Sequence, residues 1–392
     1  MHTLRMQNPV VHQKMVLEIC KNRAKLIVSA NGSVHESAND NVHKTGLLLH
    51  KMNKHITINQ VADEAGVSIQ TVSRVINDRY DVSAETRQRV QEAITRLGYQ
   101  PNAIARGLAS RRSRTLGIVA YDFTDFFFTQ VVTGAEQEAR AQNYFFMLGS
   151  TNCGQGDEPK YLRLLTERHV EGVLFARAGS HNDNQHLQNL QKTGVPVVTT
   201  GYYLPDASFT VIDINNTQGG SKAVDFLIQN GHRQIAMITG PEQIKSVYDR
   251  SNGYRQALER AGILYDPDLV VEGNWLHRSG YQAMNDLLAA GKKFSAVFTQ
   301  NDRMAIGAIS ALSQAGLHVP EDISIVGYDD VPEAEFASTP LTTVRQPMEE
   351  VGQIATRLLI NHINNPDAAP TQILLDTELI IRSSVAPRKG SF

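Results

Sequence analysis

The sequence predicts a small all-α helix-turn-helix headpiece followed by an α/β domain of two doubly wound parallel-sheet lobes. Three observations carry this expectation. Residues 57–77 hold two short helical patterns joined at a tight Ala-Gly-Val-Ser corner. From Thr115 onward, short continuous apolar runs alternate with amphipathic helices, the pattern of parallel strands covered on both faces. Those runs fall into two series, too many for one modest sheet. A chain of 392 residues, 41% hydrophobic and 20% charged, is long enough for two or three units and a sizeable core.

In the first helical pattern Ile58, Val61, Ala62 and Ala65 recur at helix spacing, with Thr57 placed to cap it. Gly66 supplies the left-handed corner, and Ser68 caps the second pattern, whose apolar face is Val72, Val75 and Ile76. The other face carries Ile69, Gln70, Thr71, Ser73, Arg74 and Asn77. Gln and Arg make paired hydrogen bonds to base edges, while Ser, Thr and Asn reach phosphates, so this face suits a DNA major groove. The small Ala62 and Ala65 allow the steep, close helix contact that a helix-turn-helix needs. The competing reading is an ordinary helical hairpin with a polar solvent face.

Charge divides along the same line. Residues 1–51 hold 7 Lys and Arg against 3 Asp and Glu, residues 52–114 hold 10 against 6, and residues 115–392 hold 21 against 31. A basic front on an acidic body is expected where only the front meets a polyanion. Cys20 and Cys153 form neither a zinc spacing nor a disulfide framework, which fits a reducing cytoplasm. No apolar run approaches the roughly 20 residues that cross a bilayer.

Residues 1–51 show no sustained periodicity and no continuous apolar signal region. Met52 stands immediately before the ordered pattern, which predicts that it is the natural start and that 1–51 is a disordered or mis-assigned extension. Residues 52–100 form the headpiece. Its third helix is capped by Ser83, puts Val90, Ala93, Ile94 and Leu97 on one face, and stops at Gly98. Residues 101–114 are a hinge and linker: Pro101 breaks the path, Asn102 caps a short helix, and Arg106, Arg111, Arg112 and Arg114 surround it. Such a helix is unstable alone. It is either a solvated Arg-rich linker or a segment that folds when phosphates neutralise it, with Leu108 wedged into a minor groove.

Strands are expected at 116–121, 144–149, 172–176 and 195–200, then at 234–239, 269–272, 296–299 and 323–328. Helices fall between them, among them Gln130–Gln142, Thr217–Gln229, Gly253–Arg260 and Arg303–Gln314. The first lobe is assigned 115–230 plus 348–375 and the second 231–347 plus 376–386, with the break at 229–232. A late helix, Glu349–Asn361, and a strand, Ile373–Ile381, recross between them. Ligands of such sheets sit outside the carboxyl ends of the strands, which face one another across the cleft.

Just beyond those ends stand the aromatic run 121–129, Arg250, Trp275, Gln300–Asp302, Tyr328–Asp330 and the late Gln346. Amides and carboxylates paired with an aromatic face are the usual makeup of a sugar site. The alternative is helix caps and inter-lobe ion pairs, and Asp302 and Asp330 in particular suit the capping of the next helix or turn. Gly219-Gly220 opens a helix but is too little to assign a phosphate site, and His232 suits a helix end better than a metal. No nucleophile elbow, Walker loop, HExxH or GxGxxG fingerprint is present, so no catalytic residue, metal or cofactor is expected.

With these residues in place the chain resembles the lactose-repressor/galactose-repressor family of bacterial transcription regulators over residues 55–386. The resemblance rests first on Val67-Ser68 and Thr71-Val72-Ser73-Arg74-Val75-Ile76-Asn77. Tyr99-Gln100-Pro101-Asn102 with Ala105-Arg106-Gly107-Leu108, Asn230-Gly231-His232-Arg233, Asn301-Asp302 and the runs 323–330 and 341–346 support it. The resemblance implies lobes like those of periplasmic sugar-binding proteins. It implies a homodimeric, cytoplasmic repressor with two partners, double-stranded operator DNA and a small-molecule effector. A sugar is the first expectation for that effector, a nucleobase or nucleoside the second, and no membrane is involved.

By the same resemblance Ile69 and Gln70 choose the operator, and Arg74 reads a base. Thr57, Ser68, Thr71, Ser73, Asn77 and Asn102 make phosphate or flanking contacts, and Leu108 with Ala105 enters the minor groove. Phe127, Phe128, Arg250, Trp275, Asn301, Asp329 and Gln346 hold the effector. Two departures stand out. Asp125-Phe126 replaces the family's Asn-Pro pair, which puts the near wall of the pocket in doubt, and no leucine-heptad tail comes after the last strand, which implies a dimer rather than a tetramer. The alternative function is a solute-binding receptor that never touches DNA.

Overall fold

The computed structural model describes residues 56–100, 112–120, 126–150, 158–176, 190, 192–201 and 210–388. The extension 1–51 and the hinge residues Asn102, Ala105 and Leu108 lie outside the described residues. The chain divides into two compact units, Met1–Asn102 and Ala103–Phe392.

In the first unit three helices succeed one another: α1 Ile58–Ala65, α2 Ile69–Ile76 and α3 Ala84–Leu97. Gln60 accepts the Thr57 backbone N–H at 2.9 Å, closing the first turn of α1. Gly66, at φ 63°, ends that helix, and the Val67 N–H returns to Ala62 O at 3.0 Å. Ser68 and Ser83 cap α2 and α3 by accepting the N–H groups of Thr71 and Thr86. The core is Val61, Ala62, Ala65, Val72, Val75, Val90 and Ala93, so small that the fold leans on its caps as well as on burial.

The second unit holds two sheets. Strands β1 Thr115–Ala120, β2 Phe145–Ser150, β3 Val173–Ala176, β4 Val197–Thr200 and β5 Thr210–Ile214 build the first. Strands β6 Ile235–Thr239, β7 Val270–Glu272, β8 Ala296–Thr299, β9 Ser324–Asp329 and β10 Thr342–Arg345 build the second. The chain then adds β11 Gln372–Leu375 to the edge of the first sheet and β12 Glu378–Ile380 to the edge of the second. The orders are 11-5-4-3-1-2 and 12-10-9-8-6-7, and all pairings are parallel except that of β12 with β10.

Helices α4 Phe126–Ala141, α5 Glu158–Glu167 and α11 Met348–Asn364 cover the first sheet. Helices α6 Asn216–Gln229, α7 Lys245–Arg260, α8 His277–Ala289 and α9 Asp302–Gln314 cover the second, and the short α10 Pro332–Phe336 packs at its end. Three helix pairs meet backbone to backbone at reciprocal glycines. A Cβ on Gly134 would lie 1.9 Å from Glu349 O and one on Gly352 2.0 Å from Val131 O. The α6–α7 contact is closed by Gly220 and Gly253, and the α8–α9 contact by Gly280 and Gly307.

Three expectations need correction. The lobe boundary is not at 229–232: Ala223, Val224 and Leu227 of α6 are buried with Ile235, Met237 and Tyr254, so the chain has already crossed to the second lobe at 214–216. Helical periodicity gives the buried face of a helix but not which sheet it covers. The segment 373–381 is not one strand but two, split at 376–377, each pairing in a different sheet. Strands β5 and β10 were not expected, because Thr210, Asp213, Thr342 and Thr343 break the apolar run while being buried themselves. Among the described residues no helix is long and apolar enough to cross a membrane.

Candidate nucleic-acid interface and ligand cleft

On α2 the two faces separate as the pattern requires. Val72 and Val75 are buried, while Gln70, Arg74 and Asn77 are exposed and Thr71 and Ser73 partly so. Ile69 is 48% exposed, an apolar contact surface at the first turn of the helix. The polar face is pre-ordered by its own hydrogen bonds. Ser68 Oγ accepts the Thr71 N–H at 3.1 Å and meets its hydroxyl at 2.9 Å, and Asn77 Nδ2 donates to Ser73 O at 2.8 Å. Arg74 Nη1 lies 3.5 Å from Asp81 Oδ2. Thr57 stands exposed at the N-terminus of α1.

In the second unit the expected ligand residues converge on Arg250. Its guanidinium, on α7, is 4% exposed and is held on every side. Nε donates to Asn216 Oδ1 at 2.8 Å, Nη1 to Gln300 O at 2.5 Å and Nη2 to Gln346 Oε1 at 3.4 Å. It stacks 3.7 Å from the Tyr328 ring centroid and 5.8 Å from that of Trp275. Asp329 Oδ1 accepts from Gln346 Nε2 at 2.6 Å and lies 3.9 Å from Arg250 Nη1. Asn301 caps α9 by accepting the Met304 N–H at 2.9 Å, and its Nδ2 donates to Trp275 O at 2.9 Å. Arg250, Trp275, Asn301, Asp329 and Gln346 are thus brought together at the carboxyl ends of the second sheet's strands.

The backbone there is strained. Trp275, Asp329 and Asp330 have φ of 71°, 109° and 56°, a left-handed region that costs a non-glycine residue on the order of 1–3 kcal/mol. Asp302 braces the turn after β9: its Oδ2 accepts the Val331 N–H at 2.9 Å and its Oδ1 the Thr343 hydroxyl at 2.6 Å. Burial, reinforced by Asp329, pushes the Asp302 carboxyl well above the usual carboxylate range. Asp330 is bound by Arg345 Nε and Arg382 Nη2, each at 2.7 Å, and is a structural anchor.

The aromatic wall differs from expectation. Phe128 is buried in the core of the first lobe, with Phe127 edge-on to it at 4.9 Å and half-buried. The neighbouring Phe126 packs against the second lobe's core, so it is Phe126 that reaches across the lobes. The first turn of α4 points successive side chains about 100° apart, and the sequence alone does not say which of three phenylalanines faces outward.

Sequence reasoning missed Asn216, Asp213 and Lys245, and placed Tyr328 at a strand end without giving it a role. Asn216 Oδ1 also accepts the Tyr328 hydroxyl at 3.2 Å, which ties the first residue of α6 to the Arg250 stack. Lys245 binds Asp249 on its own helix and lies 3.8 Å from Asp213 of β5, a nearly buried link from second lobe to first. The paired Asn215-Asn216 before Gly219-Gly220 was the available signal. Those glycines admit close contact, since a Cβ on Gly219 would lie 2.2 Å from the Tyr328 hydroxyl. His232 bridges Ser295 Oγ and Ala386 O, pinning the chain's final segment. Among the described residues no group of three His, Cys, Asp or Glu is placed to hold a metal.

Comparison with known proteins agrees with this division. Residues 57–102 match the bacterial regulatory proteins of the lacI family, and residues 224–385 match the periplasmic binding protein-like domain. The HTH-type transcriptional regulator CelR of Thermobifida fusca is 38% identical over 335 residues, covering 84% of this chain and 98% of CelR. A solved CelR–cellobiose complex aligns at a TM-score of 0.65 with 36% identity, over 84% of this chain and 99% of that one. The lac repressor dimer bound to operator and an anti-inducer aligns at 0.77 with 29% identity, over 85% and 100%.

Proposed function

The chain belongs to the LacI family of bacterial regulatory proteins, and from that premise we propose that a sugar held between its two lobes controls how tightly its helix-turn-helix grips an operator. It is a DNA-binding transcription regulator, and repression is the mode its relatives' names favour. The observation that carries the ligand half is the Arg250 site. A buried guanidinium, fixed by Asn216, Gln300 and Gln346, stands beside the half-buried Asp329 carboxylate and the Trp275 indole. Carboxylate and amides suit vicinal hydroxyls, and the indole suits the C–H face of a pyranose ring. The relative solved with cellobiose supports the same chemistry.

On the DNA side Ile69, Gln70 and Arg74 read base edges in the major groove. Thr57, Ser68, Thr71, Ser73, Asn77 and Asn102 engage the backbone, and Leu108 with Ala105 enters the minor groove at the operator centre. Two copies act together, because one eight-residue recognition helix covers too few base pairs. The exposed Phe145 and Leu148 of edge strand β2 supply apolar surface for such pairing. Lobe closure on the sugar shifts the chain connections at the hinge, a coupling on the order of 1–3 kcal/mol. The regulator works in the cytoplasm, where its operator is, and does no catalysis.

A thermal-shift screen of neutral sugars, with nucleosides as the second arm, tests the ligand half. A ligand that binds only the native state raises its melting temperature. The expected result is stabilisation by a sugar in the wild-type chain and none in Asp329→Ala. A sugar that stabilises both equally moves the site elsewhere, and stabilisation by nucleosides alone replaces the sugar.

A further inference from the structure

We propose that Asp81 is a specificity-determining residue that acts through Arg74, making the two a reader of one guanine–cytosine pair instead of a phosphate grip. This rests on the reading that α2 enters the major groove. Arg74 stands on the exposed face of α2 with its Nη1 3.5 Å from Asp81 Oδ2, the two side chains 48% and 45% exposed. Asp81 is not part of α2 but is delivered to it by the turn toward α3. Asp78 reverses the chain in the left-handed region at φ 52°, and the Arg79 N–H returns to Arg74 O at 2.9 Å. Arg87 of α3 then locks the turn, Nη1 donating to Asp78 Oδ1 and Nη2 to Arg79 O, each at 2.6 Å. The carboxylate therefore sits beside the reading face on a braced loop.

A carboxylate on a surface that meets DNA is repelled by phosphates and lowers affinity for every sequence. What it contributes to recognition is therefore discrimination. A guanidinium with Nη1 3.5 Å from a carboxylate is drawn toward it and away from a phosphate, and its remaining N–H groups offer the paired donors that match guanine O6 and N7. The carboxylate itself matches the cytosine N4 amino group. As a half-exposed ion pair it adds little to the stability of the free headpiece, so its effect belongs to recognition.

The test is selection from a random double-stranded library by the full chain, its Asp81→Asn variant and its Asp81→Glu variant. The salt dependence of binding to unselected DNA is measured alongside. The wild type is expected to select a guanine–cytosine pair at one position of each half-site. Asp81→Asn is expected to lose about tenfold in preference there, to bind unselected DNA more tightly, and to show a salt slope steeper by about 1, as a released Arg74 takes a phosphate. Asp81→Glu keeps the preference, and the melting temperature of Asp81→Asn stays at the wild-type value. An Asp81→Asn variant with an unchanged motif and slope overturns the inference, as does uniform weakening on all sequences. A wild-type chain that selects no motif overturns the regulator reading itself and the inference with it.

Discussion

Arg250 donates toward Asn216 on one side and toward Gln300 and Gln346 on the other, while two aromatic faces close its flanks. A guanidinium so held keeps its orientation before any ligand arrives, which reduces the ordering cost of binding. Asp302 does the same for the turn that carries Asp329, at a cost the protein bears in its pH dependence. Burial first, and then the Asp329 charge, raises the Asp302 carboxyl above its unfolded value. An acid shifted upward in this way binds its proton more tightly folded than unfolded. Its contribution to stability is full below the unfolded value of about 4 and is lost as pH rises toward the folded one. Urea unfolding of the wild type and Asp302→Asn from pH 4 upward should show the wild type losing stability relative to the variant, then levelling off. A difference that stays constant with pH would mean Asp302 is ionised throughout.

At the scale of elements, helix α7 carries both Arg250 and Lys245, and α6 holds it in place. The contact is tight enough that a methyl on Gly253 would lie 2.1 Å from Thr217 O. Gly253→Ala should therefore cost about 1–3 kcal/mol, read as a lower unfolding midpoint with unchanged slope. A variant as stable as the wild type would show that the two helices separate freely. The headpiece helices were legible from caps and periodicity, and so were eight of the strands, because short continuous apolar runs set between amphipathic helices mark buried parallel strands. Strands β5 and β10 were not, since their buried threonines and Asp213 look like loop chemistry until hydrogen-bond partners are supplied by tertiary structure. Helix α6 was given to the wrong lobe because periodicity shows its buried face and not the sheet that face covers. In the site, Arg250, Trp275, Asn301, Asp329 and Gln346 stood out as polar or aromatic residues at strand ends. Asn216 did not, and Tyr328 stood there without a role, because that role depends on a contact between residues 112 positions apart.

At the scale of the molecule, the chain joins a basic front segment, residues 52–114, which carries the helix-turn-helix, to an acidic two-lobed body in which the strand ends of the second sheet hold a preorganised polar cluster. The chain passes between the two sheets at 214–216, 345–348 and 375–378, so three backbone connections join the lobes. The link from Lys245 to Asp213 spans them beside the first of these crossings. A ligand that bridges Arg250 and the first lobe changes the balance between open and closed arrangements only by its difference in affinity for the two. Operator control and ligand binding are then two readings of one equilibrium. The direct test is fluorescence anisotropy of labelled promoter DNA from the neighbouring genes, titrated with the full chain at fixed moderate salt with and without the sugar found by thermal shift. Sequence-specific binding is expected, with a midpoint that moves about 5- to 150-fold when the sugar is added and an Asp329→Ala midpoint that the sugar leaves unmoved. Binding to the promoter that the sugar does not shift, in a wild-type chain shown to bind it, would contradict the coupling on which the account rests.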